Sequence, residues 1–158
     1  MTETSETLRR QLIELLDGGH AHAGLKQIVA DYPFELANRT IPGLPYTVWH
    51  LLEHLRIAQW DILEFIRNPQ HVSPEWPAGY WPPRDKQADR AQWQETVEKV
   101  QADTQALLAT VQNPETDLYA DLPHAPGYSV LREILVVCDH NAYHLGELSA
   151  LKDVMSQG

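Results

Sequence analysis

An all-α chain, a four-helix bundle with long crossover loops, is predicted by three observations on this sequence. Four stretches carry apolar residues every three or four positions, proline-rich connections separate them, and no convincing strand alternation occurs. The 158 residues fit one domain spanning 1–158, with a core large enough to be stable without disulfides or other staples.

The first helix is expected to open near Ser5, a favourable N-cap. It would carry Leu8, Leu12, Leu15, Gly19, His22, Lys26 and Val29 on one stripe before Pro33 ends it. Gly18 and Gly19 interrupt this pattern at some cost in helix propensity, so a kink or a close backbone approach is expected there. The second helix starts around Thr47, whose hydroxyl can cap the first turn, and runs to about Arg67, where Asn68-Pro69 stops it. Its inward stripe is Leu51, Leu55, Ala58, Ile62 and Phe65. Residues 69 to 84 hold Trp76, Tyr80, Trp81 and five prolines without a period, which excludes a helix. Leaving those rings in water is costly, so the segment is expected to pack as an ordered crossover or subunit contact rather than to stack on substrate. A third helix, about Asp89 to Gln112, places Trp93, Val97, Val100, Thr104, Leu107, Leu108 and Val111 on one face. An irregular loop reaches Gly127, and the fourth helix runs from about Ser129 to Met155.

Charge narrows the partners. With 22 acidic against 12 basic side chains the formal charge is −10, and the basic residues are scattered singly apart from Arg9-Arg10. Nucleic acid and anionic membrane surfaces are therefore disfavoured, because both draw affinity from clustered Lys and Arg. The N-terminus lacks the basic and apolar regions of a signal peptide, and no apolar run approaches bilayer length, so a cytoplasmic location is expected. Cys138 is the single cysteine and lies in the apolar run 134–138, which reads as packing rather than as a nucleophile.

The chemistry concentrates in Asp139-His140-Asn141-Ala142-Tyr143-His144-Leu145-Gly146-Glu147. Two histidines four residues apart project from one helix face about 6 Å apart along the axis, close enough to share a divalent ion. His54, on the second helix, is the best candidate for a third ligand. His50 precedes it by one turn and is a weaker candidate. His22 falls on the inward stripe of the first helix and is a candidate for the pocket, whereas His20 points away. Among neighbours able to orient the ligands, Glu147, a turn beyond His144, is the best placed, with Tyr143, Asp139 and Asn141 nearby. His124 is expected at the surface or at the pocket mouth.

The pair of segments Trp49-His50-Leu51-Leu52-Glu53-His54-Leu55 and 139–147 resembles the DinB/YfiT-like superfamily of metalloenzymes, over essentially the whole chain. The resemblance implies a four-helix bundle, often a homodimer, with nickel or zinc held by three histidines. Matched residue by residue, these are His54, His140 and His144. Relatives include thiol S-transferases and a maleylpyruvate isomerase that use low-molecular-weight thiols such as bacillithiol or mycothiol. Three neutral imidazoles leave coordination positions open, as in catalytic sites, where water or a thiol would be acidified. The expected function is a metal-dependent enzyme acting on a small molecule, a hydrolase or a thiol transferase. The alternative is a non-catalytic metal-binding or structural bundle connected with stress.

Overall fold

In a computed structural model, which describes residues 3–30 and 32–156, the described residues form five α-helices, two short 3-10 helices and one hairpin. The helices are α1 (Glu3–Asp17), α2 (Leu25–Ala30), α3 (Val48–Arg67), α4 (Arg90–Gln112) and α5 (Val130–Ser156). The long helices form the bundle: α3 packs between α4 and α5, and α1 closes the ring against the same two. No helix among the described residues is long and apolar enough to cross a membrane.

The predicted first helix is two helices. Gly18 and Gly19 adopt φ of 74° and 86°, conformations outside the helical basin, and the chain turns back on itself. A Cβ on Gly18 would stand 3.2 Å from the Cα of Gly24, so the expected close backbone approach is the loop folding on its own start. Helix α1 also begins at Glu3, two residues before the expected opening at Ser5. The inward stripe shifts accordingly. Leu12 is buried and Leu8 and Leu16 pack against the core, whereas Leu15 is 52 % exposed. Arg9 joins this stripe: its guanidinium donates to the carbonyls of Val111 (2.6 Å), Asn113 (3.0 Å) and Thr116, tying α1 to the end of α4. Val111 and the C-cap Asn113 lie at the helix C-terminus, where carbonyls lack intrahelical partners and a cation is favoured by the dipole, and Thr116 follows in the loop.

The other helix starts follow their caps. Thr47 accepts from the backbone N–H of His50, and His50 Nδ1 accepts from the N–H of Thr47 at 3.1 Å, a reciprocal capping box at the start of α3. Asp89 and Gln92 do the same for α4. The expectation of no strands is corrected by an antiparallel hairpin, β1 (Asp121–Leu122) with β2 (Ala125–Ser129), in the connection between α4 and α5. The crossover between α3 and α4 contains one 3-10 turn, Ala78–Tyr80, and is otherwise irregular. A Cβ on Gly79 would meet Pro74 Cβ at 2.8 Å, so this tight turn requires glycine.

The apolar core is divided into two clusters. One gathers Trp49, Leu51, Leu52, Leu55, Trp93, Val97, Leu148 and Met155; the other gathers Leu12, Leu63, Leu107, Val111, Ile134 and Val137. Each fully buried leucine contributes roughly 1.5–3 kcal/mol, so the clusters rather than any polar contact dominate folding. Between them, at the level of Gln59 on α3, Thr104 on α4 and Asn141 on α5, the interior turns polar. Gln59 is fully buried; it donates to the Val100 carbonyl at 2.8 Å and accepts from Asn141 at 2.8 Å. The histidine cluster lies beside this layer.

Candidate metal centre

Helices α3 and α5 bring His54, His140 and His144 together, with one ring nitrogen of each lying within 4.8 Å of the others. His54 Nε2 is 3.1 Å from His140 Nε2 and 3.2 Å from His144 Nε2. Nitrogens bound to one tetrahedral ion at roughly 2.0–2.1 Å stand about 3.3 Å apart, so the spacing fits a shared cation.

Hydrogen bonding at the far side of two rings decides what these short contacts are. His54 Nδ1 faces the Tyr80 carbonyl at 2.9 Å, and His144 Nδ1 faces Glu147 Oε2 at 2.6 Å. A carbonyl and a carboxylate accept, so both Nδ1 atoms donate, and in a neutral ring that leaves the Nε2 lone pair for a metal. Two lone pairs at 3.2 Å repel unless a cation lies between them. Burial lowers the pKa of His54, and the neighbouring His144 adds to that effect, so this ring favours its neutral form. His140 is pushed down to about 4, chiefly by burial and then by His144 and His54. His54 and His140 are thus held neutral, the form a metal requires. His140 Nδ1 and Asn141 Oδ1 are buried without hydrogen-bond partners, so α5 leaves the third ring less firmly fixed than the other two.

The crossover loop supplies half of the surroundings. The Trp81 indole stacks on the His54 ring with centroids 4.0 Å apart and planes 2° from parallel, and the Tyr46 ring also stacks on Trp81, with centroids 5.4 Å apart. Tyr46 in turn donates its hydroxyl to Glu147 Oε1 at 3.1 Å. Burial, and after it the charge of Glu147, raises the Tyr46 pKa, so its phenol keeps its proton. Asp61, two turns beyond His54 on α3, anchors the loop by accepting from Tyr80 Oη at 2.5 Å and from His71 Nε2 at 2.7 Å.

The remaining candidates divide clearly. Glu147 accepts from His144 Nδ1 and so orients that ring. Tyr143 is 68 % exposed and touches His144 only through its ring edge. His22 does not reach the cluster. It is exposed in the loop between α1 and α2, because the stripe that pointed it inward ends at Asp17. His20 is exposed as well. His50 is buried, but Nδ1 is spent on the Thr47 cap and Nε2 donates to the Pro83 carbonyl at 3.2 Å, so no nitrogen is left for a metal. His124 donates to the Phe65 carbonyl near the end of α3. Cys138 is buried and its thiol is raised to about 11 by burial, in keeping with packing. Of the loop aromatics, Trp76 is 72 % exposed, contrary to the packing expected, and sits at the edge of Tyr80. Sequence reasoning missed Trp81, the Tyr80 carbonyl and Asp61; a buried acid in register with His54, seven residues on, was the one available signal.

Comparison with known families matches residues 8–148 to the family described as the DinB superfamily. No curated protein and no solved structure matches the chain.

Proposed function

The chain belongs to the DinB superfamily, and from that premise we propose that it is a divalent-metal-dependent enzyme acting on a small molecule, with His54, His140 and His144 as the ligands. The convergence of three ring nitrogens carries this reading, since His54 Nε2 lies 3.1 Å from His140 Nε2 and 3.2 Å from His144 Nε2, a spacing that suits one shared cation. When bound, the cation supplies Lewis acidity that polarises a carbonyl or acidifies water or a thiol. The protein residues do the rest. Tyr80 and Glu147 fix the tautomers of His54 and His144, Trp81 shields one face of His54 from water, and Tyr46 holds a phenol proton beside Glu147. Among the described residues the cluster offers three donors, one fewer than closed structural sites use, which favours an open reactive centre over a purely structural one.

The test is calorimetric titration of EDTA-dialysed protein with zinc or nickel. One equivalent should bind, and His54→Ala, His140→Ala or His144→Ala should abolish binding with the helical circular dichroism retained. Absence of binding in the parent protein would overturn the proposal. Turnover of an ester, amide and electrophile panel with and without a low-molecular-weight thiol then separates the two chemistries: absolute thiol dependence assigns a transferase, and thiol-independent turnover a hydrolase. For assembly, we infer a two-fold pair through α5, where Leu135 and Val136 are 47 % and 40 % exposed midway between Arg132 and Asp139. An antiparallel pairing would set Arg132 of each copy against Asp139 of the other, and a monomer by sedimentation equilibrium would reject it.

A further inference from the structure

A cleft of about 620 Å³ opens beside the histidine cluster, a volume within the range of small-molecule sites. Two of its walls are shared with the cluster. Trp81 presents one face to His54, and Tyr46 bonds to the Glu147 that holds His144. Much of the remaining lining is apolar, including the rings of Pro45, Pro77 and Pro82. Proline rings have almost no conformational freedom to lose, so an apolar guest orders little protein on entering.

The polar groups of the cleft are mostly occupied. Both nitrogens of His50 are used within the fold, and the Tyr46 hydroxyl is engaged with Glu147. Arg84 is the exception: it is exposed at the cleft, and no hydrogen bond or ion pair engages it among the described residues. Among the described residues no acidic side chain lines the cleft. In a chain of net charge −10, a free guanidinium facing an acid-free apolar cleft is a local reversal of sign. Its planar set of donors suits a carboxylate, which it can bind bidentately.

We infer that this cleft binds the substrate and selects a small apolar monoanion, an aryl or alkyl carboxylate, with its body against Trp81 and the prolines and its anionic group on Arg84. The inference rests on the reading of the histidine cluster as the reactive centre. A cationic guest stacked on Trp81 and Tyr46 is the competing occupant, by attraction to the ring faces.

The experiment measures binding of three matched probes, 3-phenylpropionate, 3-phenylpropan-1-ol and 3-phenylpropylamine, to the full-length EDTA-dialysed protein. Calorimetry gives the affinities, and tryptophan fluorescence of the parent against Trp81→Phe places the probe. The carboxylate is expected to bind about tenfold more tightly than the alcohol, equivalent to about 1.4 kcal/mol, with the amine weakest. Arg84→Gln, at an exposed position, should erase that preference, and Arg84→Glu should invert it toward the amine. Equal affinity for all three probes, preference for the amine in the parent, a carboxylate preference that survives Arg84→Gln, or no binding at millimolar concentration would each overturn the inference. Because the protein is metal-free in this experiment, failure here leaves the zinc titration standing, and failure of the titration leaves this result intact.

Discussion

Glu147→Ala is expected to weaken zinc binding by about 10- to 100-fold, the range found when a hydrogen-bond partner of a metal-ligating histidine is removed. The surroundings of Glu147 locate each substitution within that range. Its carboxylate accepts from His144 Nδ1 at 2.6 Å and from the Tyr46 hydroxyl at 3.1 Å, so alanine removes both the orientation of the ring and the reason for its tautomer. The imidazole is then free to carry its hydrogen on Nε2, where the lone pair is needed. Alanine is therefore placed near about 100-fold, or about 2.7 kcal/mol. Glutamine keeps an acceptor oxygen and loses only the charge. The side chain is 28 % exposed, so water already screens part of that charge, and Glu147→Gln is placed near about tenfold. Competition against a chromophoric chelator measures the affinities, with Glu98→Gln, an exposed carboxylate on α4, as the unaffected control. A Glu147→Ala affinity within about twofold of the parent would refute the orienting role, since it falls far short of the range for such partners.

Three other outcomes follow from the same contacts. Acidifying the metal-free protein should lower its stability between about pH 6.5 and about 4: His140 is held near 4 when folded and near 6.5 when unfolded, so only the unfolded chain takes up the proton in that window. A difference of that size is about 3 kcal/mol at most; allowing for the partly solvated ring, about 1–2 kcal/mol is expected in urea midpoints, and a slope unchanged in His140→Gln would contradict this. Arg9→Met keeps the apolar stem but leaves the Val111, Asn113 and Thr116 carbonyls without a charged donor, and should destabilise by about 2–4 kcal/mol in urea unfolding. Asp61→Ala should cost a similar amount, roughly 2–4 kcal/mol by the same measurement, because buried donors on Tyr80 and His71 lose their acceptor. It should also weaken zinc binding through the Tyr80 carbonyl, and an unchanged zinc affinity would break that link.

The convergence of the three histidines was legible because helices convert spacing into geometry. Four residues between His140 and His144 put both rings on one face, and the stripe through Leu51 and Leu55 turned His54 inward. The cap at Thr47 fixed the start of α3 in the same way. What escaped was whatever the helical period does not encode. Extrapolating the wheel through Gly18 and Gly19 aimed His22 at the pocket, but positive φ at both glycines reversed the chain instead. The hairpin has strands of two and five residues, with Pro123, Pro126 and Gly127 in or beside them, too short to show a period of two. His50 looked like a ligand by spacing alone, and its use in a capping box is visible only once the cap at Thr47 is drawn.

The acceptor that sets the tautomer of His54 is a peptide oxygen, and that has an evolutionary consequence. Every amino acid carries one, so residue 80 could change its identity among distant relatives without deleting the contact, provided the loop keeps its path. The path is what Asp61, Gly79 and Trp81 specify. Comparing relatives at position 80 would thus understate its importance, and correlated change among positions 61, 79 and 81 would be the better record of selection on this site.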